Sequence, residues 1–491
     1  MSTGPKIKPS SASIAMLGVP FDNVTIDETA AIVQRMIASG RPHYLATANV
    51  DFLVQASEDV ELRRILFDAD LVVCDGMPLV WASRLLGNPL KERVAGSDLV
   101  PLMLRIAEEQ HYRVYFLGGK EEVIEKAIEN IRRDHPKLHI AGYYSPPFAP
   151  LLEMDHDDIC RRINEARPDM CFVSFGCPKQ EKWIWMNRDK IQVPMSVGVG
   201  ATIDFLAGAV KRAPRWVGKF GLEWIYRLCQ EPKRLFKRYA KDLWYFGFAI
   251  LRQMWAMKFR PQRRKSGAEA DVAIREGAQY FHLKMPDRLD ALSIRENIVL
   301  IDEAVTSGKS ILLCEVDCSF IDSTGAGFLV RLAKRAADDG FTLILVKASR
   351  PVRSGLGMMK LDKMFRYADS REEGLALARG LQMAEAEDSR PSGDDGLCRL
   401  VWAGELTAAN AGRVWEESQA VFDGVVVGGQ AMVADISGLK FVDSSGAGLM
   451  VKLKKEAIRR DIDLRFEGAT GEVLNVLALT RLTGFLLGTD K

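Results

Sequence analysis

Residues 71–81 read LVVCDGMPLVW. Leu71–Cys74 is a short apolar run of the kind that forms a buried strand. Asp75 and Gly76 interrupt it, and a helical pattern begins near Pro78. The same grammar recurs on both sides. Runs at His43–Thr47, Arg113–Leu117, Asp169–Phe175 and Met195–Val199 also read as strands. The stretches between them, Glu121–Arg133 for example, have helical length and periodicity. This alternation predicts an α/β fold: a parallel sheet covered by helices. Open parallel sheets bind ligands outside the carboxyl ends of their strands. At those ends stand Thr47 and Asn49; Asp75 and Gly76; Gly118 and Gly119; Gly176, Pro178, Gln180 and Glu181; and Gly198, Gly200, Thr202 and Asp204. Small, polar and acidic residues gathered at one rim have the layout of a nucleotide or nucleotide-sugar site.

Each of these residues also has a plainer reading. Asp75 suits the cap of the helix that follows. Gly118-Gly119 suits a tight βα turn. Gln180 and Glu181 suit the exposed first turn of a helix. No GxGxxG stands at the first βα turn and no GxxxxGK[ST] occurs, which disfavours the usual dinucleotide fingerprint and the P-loop. Asp68-Ala69-Asp70 precedes its strand, and Asp155-His156-Asp157 falls in a helical stretch. Both read as solvated surface, and no metal ligands are expected.

The chain has 491 residues, 47% hydrophobic and 27% charged, which suits about three soluble domains and excludes collagen-like or wholly disordered readings. The cysteines are scattered without a CxxC pair, which fits a reducing cytosol. The polar start, MSTGPKIKPSSAS, has no apolar signal core. The longest apolar stretch, Leu243–Leu251, is too short to span a bilayer.

A net charge of +2 hides an asymmetry. Residues 211–265 hold 16 Lys+Arg against 3 Asp+Glu, leaving −11 for the remaining 436 residues. This stretch is also rich in aromatics, among them Trp216, Trp224, Tyr239, Trp244, Phe248 and Trp255. A nucleic-acid patch, a solvated helix face and a membrane-surface helix all suit such a segment. Cations beside interfacial Trp and Tyr favour the membrane surface. Pro261 and QRRKSG then read as a linker.

The last part of the chain is a repeat. DCSFIDSTGAGFLVRLAKRA begins at Asp317 and DISGLKFVDSSGAGLMVKLKKEA at Asp435, with Asp322 and Asp443 equivalent, 121 residues apart. Each copy continues into a helix and a strand, Phe341–Val346 or Asp463–Glu467, and the polar stretch AEAEDSRPSGDDG reads as a linker between the copies. Asp-Ser-x-Gly at a strand-to-helix junction suits a helix cap.

The motifs TANVDFL, CDGMPLVW, ERVAGSDL, FLGG, FGCPKQEKW, GVGATIDFLAG and KRAPRW, then LEWIYRLCQEPKRLFKRY, appear in that order across about residues 14–245. This set resembles the WecG/TagA/CpsF bacterial glycosyltransferases, glycosyltransferase family 26. The repeated copies resemble STAS domains, the fold of anti-sigma factor antagonists. The resemblance implies a Rossmann-like glycosyltransferase core at 14–210, a basic helical membrane-docking appendage and linker at 211–265, and STAS domains at 271–385 and 396–491. It implies inverting, metal-independent transfer of N-acetylmannosamine or a related hexose, with no cofactor beyond the nucleotide-sugar donor. The implied acceptor is a polyprenol-diphosphate-linked sugar used for surface polysaccharide. Asp75 matches the general base, with Thr47 and Asn49 beside it and Arg93 and Gln180 at further active-site positions. Gly118, Gly119 and Glu181 join the substrate-binding set from their strand ends. Arg212, Arg215 and Arg227 become candidates for contacting a diphosphate. Ser323 and Ser444 match the serine that a partner kinase phosphorylates in some STAS domains, although Thr324 replaces the second serine of the first copy. The expected location is the inner face of the cell membrane, peripheral and cytoplasmic, with no nucleic-acid partner. The alternative from another class is a nucleotide-sugar sensor with the STAS pair as a phospho-dependent partner switch. A weaker third is a nucleotide-binding scaffold on the membrane.

Overall fold

The structure, a computed structural model, describes residues 13–209, 217, 223–258, 273–276, 280–290, 293–294, 310–359, 361–387, 398–424, 431–460, 462–480 and 482–488. Arg212, Arg215 and the linker at Pro261 lie outside the described residues. The chain forms two compact units. The first comprises residues 1–148, 155–184 and 188–379; the second comprises 149–154, 185–187 and 380–491.

The first unit opens with a hairpin, β1 (Ser13–Met16) and β2 (Val19–Asp22), paired antiparallel. A capping box of Thr25 and Glu28 starts α1 (Ile26–Ala38). There follow β3 (His43–Ala48), α2 (Val50–Glu58), α3 (Val60–Asp68), β4 (Leu71–Cys74), α4 (Met77–Leu85), α5 (Gly96–Glu109), β5 (Arg113–Gly118) and α6 (Glu121–Asp134). Then come β6 (His139–Tyr144), α7 (His156–Ala166), β7 (Met170–Ser174), α8 (Lys179–Asn187), β8 (Met195–Gly198) and α9 (Thr202–Leu206). Strands β4-β3-β8-β7-β5-β6 form one sheet in that order, every pair parallel. The predicted α/β architecture is what forms. All five predicted strands are present, within a residue or so of their predicted ends. The order makes β4, β3 and β8 neighbours, so their carboxyl ends share one stretch of rim.

Helix-covered strands need apolar residues on both faces, which is why β3 and β4 are buried along their whole length. Phe116 and Phe172, on neighbouring β5 and β7, stack with ring centroids 5.3 Å apart. Ile124, Ala127, Ile128 and Ile131 form the buried stripe of α6 at helical spacing.

The basic segment forms helices Glu223–Gln230 and Pro232–Lys258. Leu235, Asp242, Phe246, Ile250 and Gln253 are buried along one side of the long helix, which packs on α2. Phe236, Leu243, Trp244, Phe248 and Leu251 are exposed along another. Among the described residues no helix is long and apolar enough to cross a membrane.

The first repeat is a five-stranded sheet, parallel except for the edge pair Ala273–Glu276 and Tyr280–Lys284, with a long helix Ser323–Asp339. Its last helix, Arg371–Glu387, runs into the stretch expected to be linker. Ala15 and Phe67 belong to the same hydrophobic cluster as the first repeat's core, and Phe67 meets Phe365 edge to face at 6.4 Å. In the second unit, strands Cys398–Leu406, Ala431–Val442 and Asp463–Glu467 form a parallel sheet beside helix Ser444–Arg459. The repeats share one packing device. A Cβ at Gly325 would collide with the Leu289 carbonyl oxygen, and one at Gly446 with that of Leu406.

Candidate active site

Asp75 follows β4 directly, but it does not cap α4. Gly76 occupies the N-cap position there, and no side chain caps that helix. Instead, Asp75 Oδ2 accepts the Gly96 N–H at 3.2 Å, at the positive end of α5. Thr47, at the end of β3, donates to the Gly198 carbonyl oxygen of β8 at 3.3 Å. A Cβ built at Gly96 would sit 3.6 Å from Asp75 Oδ2, Thr47 Oγ1 and Thr202 Oγ1 alike. Side chains from β3, β4 and α9 therefore converge over the first residue of α5.

The electrostatics of Asp75 follow from that position. Burial pushes its carboxyl up to about 6, against the Gly96 hydrogen bond and the charges of Arg93 and Arg227, which favour the carboxylate. Glu223 acts the other way. Arg93 is held from both sides, donating to Asp98 at 2.8 Å and to Glu223 at 2.6 Å. Arg227 lies over the Phe205 ring at 5.3 Å. The appendage helix Glu223–Gln230 thus brings an acid and a base to the same stretch of rim. Glu223 was not singled out from the sequence; the signal was a rare acid in a strongly basic segment. Gly96 stood there only inside ERVAGSDL, and Thr202 only among the strand-end residues.

Other candidates are placed differently. Asn49 caps α2 by accepting the Phe52 N–H. Gln180 Oε1 accepts from the N–H groups of Gly176 and Gly200, both at 3.1 Å, and its amide donates to Glu181 at 2.6 Å. Gln180 and Glu181 are 2% and 1% exposed, and Gln180 braces the loops after β7 and β8. They are not the exposed helix turn considered as an alternative. Burial pushes the Glu181 carboxyl up to about 7. Gly118 has φ +93°, and a Cβ there would lie 2.7 Å from the Ser174 carbonyl oxygen and the Phe175 ring; its turn is one only glycine can make. Gly119 donates its N–H to Ser174. Asp70 accepts from the His43 ring and the Tyr44 N–H, before β4 rather than at its carboxyl end. Asp155 caps α7, and Asp157 forms an exposed pair with Lys190.

In the repeats, Asp322 accepts the N–H groups of Thr324 and Gly325, both at 2.8 Å, and Asp443 accepts that of Gly446 at 2.9 Å. Both aspartates therefore cap the helix they precede, as the plainer reading held. Ser323 and Ser444 are 0% and 1% exposed.

A buried carboxylate at the carboxyl rim of a parallel sheet, with arginines near it, is an arrangement that can serve proton transfer. Residues 14–260 match the family described as glycosyl transferase WecG/TagA/CpsF. The chain belongs to that family and is a glycosyltransferase. Residues 270–374 match the STAS domain, and 390–488 match a second STAS model, described as Mlab, STAS domain. Similar proteins include the N-acetylglucosaminyldiphosphoundecaprenol N-acetyl-beta-D-mannosaminyltransferases of Bacillus spizizenii strain W23 and Staphylococcus aureus strain MW2. The first is 37% identical over 191 residues, 39% of this chain and 72% of that protein. The second is 31% identical over 228 residues, 46% of this chain and 88% of that protein. Among solved structures, the anti-sigma factor antagonist SpoIIAA in its unphosphorylated form is 22% identical, covering 22% of this chain and 96% of its own, with a TM-score of 0.20.

Proposed function

We propose that this glycosyltransferase moves N-acetylmannosamine or a closely related hexose from a nucleotide-sugar to a polyprenol-diphosphate-linked sugar, with inversion and without a metal. The observation that carries the reading is the setting of Asp75. A sugar hydroxyl is a weak nucleophile at neutral pH. A carboxylate with a pKa near 6 is ionised there yet basic enough to take the proton as the oxygen attacks the anomeric carbon. That bond forms as the bond to the nucleoside diphosphate breaks, and negative charge develops on the leaving group. Arg93 and Arg227, both close enough to favour the Asp75 carboxylate, are the candidates to meet that charge. Arg212 and Arg215 are candidates for the same task from sequence alone. The activity that names the relatives supports the sugar and the lipid-linked acceptor.

The acceptor lipid implies work at a membrane surface. The exposed Phe236, Trp244 and Phe248 on a helix that also carries Lys237, Arg238, Lys241 and Arg252 support docking there. The STAS domains regulate or recruit the enzyme in this reading. The test is a transfer assay with a panel of UDP- and GDP-sugars and a short polyprenol-diphosphate-sugar acceptor. Product formed in EDTA is expected. Donor binding without product from any pair would favour the nucleotide-sugar sensor instead.

A further inference from the structure

The Ser323 end of the first STAS repeat is already occupied. Asn88, in the loop after α4, donates its amide to Ser323 Oγ at 2.9 Å and to Asp322 Oδ2 at 3.1 Å. One turn along, Gly327 lies so close to β1 that a Cβ would collide with the Ser13 carbonyl oxygen. Further on, Lys334 donates to the Ala69 carbonyl oxygen at 2.9 Å. These contacts follow helix Ser323–Asp339 from Ser323 to Lys334, and Phe67 against Phe365 adds one from another part of the repeat. They leave Ser323 fully enclosed.

Asn88 also begins the segment that ends at the candidate base. From it the chain is pinned repeatedly: Leu90 N–H to Ser83 Oγ at 2.9 Å, Lys91 N–H to Asn23 at 2.7 Å, Val94 N–H to the Cys74 carbonyl at 2.8 Å and Gly96 N–H to Asp75. Arg93 sits within it. These bonds make one ordered path of nine residues from Asn88 to the groups that set the ionisation of Asp75.

We propose that the protein partner of the first STAS repeat is the chain's own transferase domain, docked through the Asp322-Ser323 end, and that this docking holds residues 88–96 in the geometry that transfer requires. The repeat is then a two-state element: docked, with Asn88 bonded to Asp322 and Ser323, or released. Negative charge added at Ser323 would sit enclosed beside the Asp322 carboxylate and select the released state. Since Ser323 is enclosed when docked, any enzyme that modifies it must act on the released state and would trap it there.

The coupling half of this proposal rests on the role given to Asp75; the docking half does not. The test uses the full chain with three variants. Ser323→Glu adds charge. Asn88→Asp sets like charge against Asp322 without altering the repeat. Ser323→Ala leaves the Asn88–Asp322 bond in place. Amide hydrogen exchange at Ser13–Met16 reports docking, and kcat reports coupling. In Ser323→Glu and Asn88→Asp we expect exchange at Ser13–Met16 to quicken by about tenfold or more and kcat to fall by a similar factor, with Ser323→Ala close to wild type. Exchange at Ile311–Glu315, inside the repeat, should stay slow. If it rises in Ser323→Glu, that variant has unfolded the repeat and Asn88→Asp decides. Unchanged exchange at Ser13–Met16 would overturn the docking claim; quickened exchange with unchanged kcat would overturn the coupling. A wild-type protein without transfer would remove the coupling along with the enzymatic reading, and exchange would still decide docking.

Discussion

Asp75 is set by opposing neighbours: burial holds its proton on, while the Gly96 N–H, Arg93 and Arg227 draw it off and Glu223 partly undoes their effect. A base must be ionised to act, so activity should be full above its pKa and fall as pH drops through about 6. Glu223→Gln removes a negative charge near Asp75, so the carboxylate becomes easier to form and the acid limb of kcat/KM should move to lower pH. Arg93→Gln should move it the other way. A limb unmoved by either substitution would detach it from Asp75. Much of this site was legible in the sequence because strand-end residues of a parallel sheet must share a rim. Asp75 and Thr47 were found that way, whereas Arg93 came only from the likeness of ERVAG to the family motif. The brace made by Gln180 was not legible, because an amide at a helix start reads the same whether it faces solvent or the loops beside it. Asn49 was expected beside the base, and its capping bond to the Phe52 N–H was missed, although that bond is local and a cap-forming residue before a helix carries its signal.

At the scale of elements, strands buried on both faces were readable as apolar runs. β6 was not, because HIAGYY at the sheet edge is only half-covered and carries no such run. The β1–β2 hairpin was missed as well; its burial depends partly on the Ser323–Asp339 helix, which is distant in sequence. The long appendage helix was expected, and its amphipathic division gives the membrane reading a concrete form. Trp244 is 81% exposed, so Trp244→Ala should leave thermal stability unchanged. On vesicles containing anionic lipid the same change should weaken binding roughly tenfold or more, since a large apolar side chain buried at an interface is worth roughly 1.5–3 kcal/mol. Binding should also fall with salt. Vesicle binding indifferent to Trp244 and to lipid charge would contradict a membrane-docking face.

At the scale of the molecule, the repeat was plain from two copies of one motif, and the family resemblance from ordered motifs over the first half of the chain. The sequence could not show that the first STAS repeat folds into the same compact unit as the transferase. Asn88 stands in GNPL, which reads as an ordinary turn, and its partners lie 234 and 235 residues away. A contact of that span leaves no periodic trace. The arrangement gives the fusion a physical sense. The Asp322-Ser323 end of the first STAS repeat is closed against Asn88 of the transferase, at the start of the segment that leads to the candidate base.

The most direct test of the account is the Asp75→Asn variant in the transfer assay, with donor affinity measured alongside. Asparagine keeps the shape and can still accept the Gly96 N–H, but it cannot take a proton. The account predicts a fall in kcat of about 10²–10⁴-fold with donor affinity and thermal stability near wild type. Unchanged turnover would contradict it, because Asp75 would then be a structural acid and the base would have to be sought elsewhere on the rim.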